Sequence, residues 1–125
     1  MNSNKQELTI YGSFPSLNEV IKTCKNHWSQ YAKLKKELTI SVAVQALGAN
    51  LKPVNKAMVC FFWFLKDKRM DVDNVSHGQK YILDGLVEAH IIPTDGQRHI
   101  TVLEHSFDVD KNNPRVVVQI TELSE

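Results

Sequence analysis

The sequence predicts an α/β domain: one mixed β-sheet with two main helices, in the order β-α-β-α-β-β. Three observations predict it. The run Ala57 to Leu65 (AMVCFFWFL) is almost continuously apolar and rich in branched and aromatic residues, the pattern of a strand buried on both faces. A stretch with apolar residues at helical spacing stands on each side of it. Near the C-terminus, two alternating stretches flank Lys111-Asn112-Asn113-Pro114, which predicts a hairpin. With 125 residues, 42% of them hydrophobic and 23% charged, the chain has material for one core, so residues 1–125 are read as a single domain.

Taken in order, Glu7 to Gly12 predicts a short first strand that ends in a turn at Ser13-Phe14-Pro15. Ser16 and Glu19 have capping-box spacing and open a helix. Its apolar face reads Leu17, Val20, Ile21, Cys24, Trp28, Tyr31, Leu34, Leu38 and Val42, in steps of three and four. The helix is expected over 17–47, with Gly48 in the left-handed C′ position. About thirty residues would span roughly 45 Å. That is long for so small a domain, so the helix either packs partly on a second subunit or is broken in the middle. Residues 49–55, with Pro53, form a loop before the apolar strand. The aromatic group Phe61 to Phe64 is read as core, because a base-stacking platform has to be exposed. Asn74 opens the second helix, whose buried face is Val75, Ile82, Leu83, Leu86 and Val87, and Pro93 closes it off. Ile100 to Phe107 and Arg115 to Leu123 are the last strands.

The net charge is only +1, but it is unevenly distributed. Residues 20–69 carry ten basic side chains against two acidic ones, a net of +8; residues 70–125 carry four against ten, a net of −6. A cationic half beside an acidic half is expected where a polyanion is gripped next to a metal site. Lys33, Lys36, Lys66, Lys68, Arg69 and Arg98 are the candidate DNA-binding residues. Cys24 and Cys60 lie far apart within apolar patterns, so they are read as free, buried thiols rather than as a disulfide or a zinc site. No apolar run reaches membrane-spanning length, and MNSNKQEL lacks a signal-peptide core, so a cytoplasmic protein is expected.

The chemistry gathers between Trp63 and Ile100. The apolar run stops at Leu65, basic residues follow, and Asp71 and Asp73 stand one residue apart before Asn74. If the strand geometry persisted, the two carboxylates would point to one side. Lys80 lies on the following helix and Asp95 beyond it. Carboxylates from a strand end, a helix start and a loop suit a hard divalent cation, and the lysine would supply a fixed positive charge for a phosphate. The bland readings are a capped helix start and a surface Lys80–Asp84 ion pair. A bare Asp-x-Asp carries little weight, since Asp108-Val109-Asp110 is a second one at an expected turn. His77 and His99 lie nearest the cluster but lack ligand spacing.

The constellation Asp71-Val72-Asp73-Asn74, Lys80, Asp84-Gly85-Leu86 and Asp95 resembles the signature of the RusA-type Holliday-junction resolvases, small endonucleases often carried by phages. Phe14-Pro15-Ser16-Leu17-Asn18 is similar to the Pro-Ser-x-Asn near that family's start. Order and spacing agree from Leu8 to about Glu122. Many members carry a second aspartate in place of Thr94, a glycine in place of His90, and a shorter interval between Asp73 and Lys80. The resemblance implies a homodimer that resolves branched DNA, the four-way junction, by paired phosphodiester hydrolysis in recombination and repair. It implies Mg²⁺ (with Mn²⁺ able to substitute) held by Asp71, Asp73 and Asp95, Lys80 acting at the phosphate, no small-molecule cofactor and no membrane partner. The alternatives are a catalytically silent structure-specific DNA binder and a nuclease for flaps or other branches.

Overall fold

The computed structural model describes residues 5–124; the first four residues of the N-terminal stretch lie outside the described residues. The elements are β1 (Lys5–Tyr11), α1 (Leu17–Asn26), α2 (Trp28–Gly48), β2 (Ala57–Leu65), α3 (Val72–Ser76), α4 (Gln79–Glu88), β3 (Ile100–Val109) and β4 (Arg115–Glu122). They form an α/β fold with one mixed, four-stranded sheet in the order β1-β4-β2-β3. β2 runs parallel to β3 and antiparallel to β4, and β1 pairs antiparallel with β4.

The expected C-terminal hairpin does not form. β3 and β4 lie on opposite sides of β2 and do not pair with each other. Their link crosses the end of β2, where the Asp110 amide donates to the Leu65 carbonyl at 2.8 Å and Arg115 binds Asp110 at 2.8 Å. The most apolar strand thus takes a central position with both of its edges hydrogen-bonded. Turn chemistry at Lys111 to Pro114 marks a reversal of the chain, and it does not fix which strand each arm joins.

Both expected helices are pairs. The first starts as expected on a capping box: Ser16 Oγ accepts from the Glu19 amide at 3.2 Å, and Glu19 Oε1 accepts from the Ser16 amide at 2.8 Å. It breaks at His27, whose backbone leaves helical geometry at φ −147° and ψ 72°. The second breaks at Gly78. A Cβ there would lie 2.9 Å from the ring of Trp63 and 3.3 Å from Phe14, so only glycine lets the chain turn so closely against β2. The left-handed residue after α2 is Asn50 (φ 56°), with Gly48 still helical; after α4 it is His90 (φ 61°), where a glycine would relax the backbone.

One face of the sheet carries the core. Leu8, Ile10, Val59, Phe61, Trp63, Val116, Val118 and Ile120 pack there with Val42, Ala43 and Ala46 of α2 and Ile82, Leu83 and Leu86 of α4. The α2–α4 crossing depends on Gly85, since a Cβ there would overlap Val42. Residues that alternate with the core positions, among them Met58, Phe62, Phe64 and Val117, stay half-exposed on the other face. β2 is therefore fully covered on one side only, and not on both as its composition predicted. Cys24 and Cys60 are free thiols, the first half-buried and the second buried. Among the described residues no helix is long and apolar enough to cross a membrane.

Candidate functional site

The site residues follow from where β2 ends. Its last paired residue is Leu65, and residues 66–70 form a loop that Asp67 tightens by accepting from the Arg69 amide at 3.0 Å. Asp71 is the N-cap residue of α3, with extended backbone, and its carbonyl accepts from the amides of Asn74 (3.0 Å) and Val75 (3.2 Å). Its carboxylate makes no capping bond. Asp73 sits in the first turn, where Oδ1 accepts from the Asn74 amide at 3.0 Å and the charge suits the helix N-terminus. The expected strand-like alternation of Asp71 and Asp73 therefore does not occur. Helix begins at Val72, and two residues along a helix is a rotation of about 200°.

Asn74 has a role that the sequence did not reveal. Its Oδ1 accepts from the Asn18 amide at 3.2 Å, which ties α3 to α1. The Phe14–Asn18 segment and the Asp71–Asn74 segment, far apart in the chain, meet at this bond. Phe14 also stacks on Tyr81 with centroids 5.7 Å apart, so the N-terminal turn is fastened to α4 as well.

Lys80 lies in the first turn of α4, with Nζ 3.2 Å from Asp84 Oδ1 and 3.5 Å from Asp95 Oδ2. Burial works to lower its pKa, but the hydrogen bond and charge of Asp84, together with those of Asp95, outweigh it and leave the pKa raised. The ammonium is thus charged at neutral pH. The Asp95 contact brings the loop after α4 back along the helix to its first turn. Asp71, Asp73 and Asp95 are all exposed. Oxygen donors of this kind suit a hard cation, yet among the described residues no three His, Cys, Asp or Glu side chains converge as a metal-binding group.

Lys66, Lys68 and Arg69 are exposed on the loop just before Asp71; Lys33 and Lys36 are exposed on the first half of α2; and Arg98 is exposed on the loop that carries Asp95. His99 Nδ1 donates to the Asn55 carbonyl (2.7 Å), anchoring the start of β3 and not the acidic cluster. The His77 ring packs edge-on against Tyr81, and its Nε2 lies 3.4 Å from the Tyr81 hydroxyl. Burial lowers its pKa. Asp108 lies at the end of β3, opposite Phe64, and accepts from the Val109 amide, whereas Asp110 stands in the connection that follows and holds Arg115, so of the second Asp-x-Asp only Asp110 serves the expected turn.

Sequence reasoning also missed a half-buried polar chain. The Trp63 indole N–H donates to His105 Nδ1 at 3.0 Å, which leaves Nε2 to donate to Gln79 Oε1 at 3.0 Å. The imidazole stacks on Phe61 at 4.8 Å, and burial lowers its pKa. Only the parallel pairing of β2 with β3 places these residues together, and no local pattern announces it. No family model matches the chain, and no curated protein matches it.

Proposed function

We propose that the chain is a Mg²⁺-dependent endodeoxyribonuclease that resolves four-way DNA junctions, with a homodimer as the working unit. The observation that carries the reading is the meeting of Lys80 with Asp95 at 3.5 Å. A charged lysine on a helix start and a carboxylate fifteen residues later are the two members of the RusA-like constellation whose proximity a surface helix pair does not require. The Asn18–Asn74 bond adds support by joining the two segments that carry the resemblance.

Asp71, Asp73 and Asp95 would hold the metal, which when bound would polarise the scissile phosphate and lower the pKa of a water. Lys80 stays protonated and half-exposed, able to pass from its carboxylate partners to charge developing on phosphate oxygens. The Lys66, Lys68 and Arg69 loop would grip the backbone without regard to sequence. Two sites related by two-fold symmetry would nick opposing strands.

A synthetic four-way junction tests this. Cleavage should need Mg²⁺ or Mn²⁺ and stop on chelation. Asp71→Asn, Asp73→Asn and Asp95→Asn should each lower the rate at least a hundredfold while junction binding persists. Near wild-type cutting by any of the three at saturating metal removes that residue from the site. A second reading, a silent structure-specific binder, draws on the fact that the three carboxylates do not form a ready-made cluster. It predicts tight junction binding with no metal-dependent cleavage in the wild type.

A further inference from the structure

Lys80 is shared by two carboxylates, Asp84 and Asp95, and the reaction as proposed needs its ammonium to turn toward a phosphate. We propose that Asp84 is a positioning residue: it keeps hold of Lys80 while Asp95 lets go and turns to the metal, a proposal that rests on reading this cluster as a DNA-cutting site.

The two carboxylates differ in how firmly they are held. Asp84 stands one turn beyond Lys80 on α4, with Oδ1 3.2 Å from Nζ and its side chain 24% exposed. Its neighbours in the chain fix its place. Leu83 and Leu86 are buried in the core, and Gly85 lies so close to α2 that a Cβ there would overlap Val42. Asp95 belongs to the exposed stretch of residues 93–98 between α4 and β3, is 40% exposed, and its Oδ2 is 3.5 Å from Nζ. Displacing Asp95 disturbs a surface loop, whereas displacing Asp84 disturbs the packing of α4 on α2.

As a support for the helix the Lys80–Asp84 pair is badly placed. A cation in the first turn opposes the helix dipole, and lysine ahead of the acid is the weaker order of an i, i+4 pair. A lysine kept at a helix start against the local field is explained by its partners, one fixed on its own helix and one on a loop. Held by Asp84 alone, the ammonium keeps one charge-assisted hydrogen bond and has its other donors free for phosphate oxygens. Asp95 then has its oxygens free for a hard cation. Without Asp84, Lys80 would have only Asp95 to pair with, and lysine and metal would compete for one carboxylate.

A double-mutant cycle on the full chain tests this with two readouts. In calorimetry with Mn²⁺ alone, Asp84→Ala should weaken metal binding about threefold, and the same substitution on a Lys80→Met chain should leave it unchanged. A carboxylate that acted on the metal only through its charge would weaken binding equally in both chains. In junction cleavage at saturating Mg²⁺, Asp84→Ala should lower kcat about tenfold with KM unchanged, and should cost nothing further in Lys80→Met. Equal losses with and without Lys80, an Asp84→Ala chain that matches the wild type in both readouts, or a wild type that takes up no Mn²⁺ overturns the proposal. The two readings fail separately. Coupling in Mn²⁺ binding without junction cleavage keeps the hold of Asp84 on Lys80 and removes the nuclease; cleavage with additive losses does the reverse.

Discussion

Phe61 and Phe62 are neighbours on the same strand, identical in chemistry and opposite in fate. Phe61 is fully buried beneath the helices, stacked with Trp63 and His105. Phe62 points to the other face, among half-exposed Met58, Phe64 and Val117. Cross-strand neighbours on that face are mixed in character: Thr9, Gln119 and Thr121 stand with the apolar residues, and Glu104 accepts a hydrogen bond from the Cys60 thiol at 3.6 Å. The covered face is a core that excludes water, whereas the bare face is a mixed surface that water can wet. Apolar content alone did not separate them, because AMVCFFWFL is greasy at every position. The separation comes from which face α2 and α4 reach.

The sharpest check on that division is a matched pair of truncations. Phe61→Ala should cost about 3–5 kcal/mol, the range for emptying a well-packed aromatic site. Phe62→Ala should cost roughly 1 kcal/mol, since its ring is already in partial contact with water. Urea midpoints of the two variants would measure the gap. Equal losses would mean that the second face is covered in solution and that the comparison is mistaken.

His105 sharpens the comparison from the polar side. It faces Phe61, Trp63, Phe107 and Gln79, none of them ionisable, and its Nδ1 accepts the indole proton. A second proton would set N–H against N–H. Burial holds its folded pKa below the usual imidazole value of 6.5, so the unfolded chain binds the proton more readily. Stability is therefore full above about pH 6.5 and falls as the pH drops below it, until the folded group itself titrates. His77, lowered by burial as well, acts in the same direction. His105→Ala should cost about 2 kcal/mol at pH 7.5, from two lost hydrogen bonds and an orphaned indole donor. It should also flatten the fall in stability between pH 7 and pH 5. Chemical denaturation at both pH values reads this out, and an undiminished slope in His105→Ala would move the acid sensitivity elsewhere.

Local chemistry was legible in the sequence and long-range pairing was not. The Ser16–Glu19 capping box, the β2 boundaries and the turn at Lys111 to Pro114 are written in adjacent residues, and each formed where it was read. The hairpin failed because a turn reverses the chain without naming the strand it will pair with, and β2 inserted itself between the two arms. The helix break at Gly78 depends on contacts with other elements. The glycine answers to Trp63 and Phe14, neither of which lies within ten residues. For the candidate site, residue types and order were readable, and the Lys80–Asp95 contact agrees with them. The relation of Asp71 to Asp73 was misread because it required knowing that the strand ends six residues before the first aspartate.

The smallest expected change in chain stability concerns α2, where the contrast of covered and bare recurs on a single helix. Val42, Ala43 and Ala46 are buried against the rest of the core, while Ile40, Val44 and Leu47 are 45%, 62% and 60% exposed. Their spacing of four and three places these three on one stripe, at about one turn per step. Unlike the bare sheet face, the stripe has no polar residue among its three members, so water is a poorer partner for it. The proposed homodimer, which paired nicking requires, would cover it, and a two-fold pairing of α2 with its copy is the simplest closed arrangement. Light scattering at micromolar concentration should then give twice the 14.3 kDa chain mass. Val44→Glu should halve that mass and lower junction cleavage, while shifting the stability of the separated chain by no more than about 0.5 kcal/mol, as for an exposed position. Phe62→Glu on the sheet should leave the dimer intact. If Phe62→Glu dissociates it and Val44→Glu does not, the interface lies on the sheet. A wild-type monomer with full cleavage activity would end both the dimer and the paired-nick mechanism.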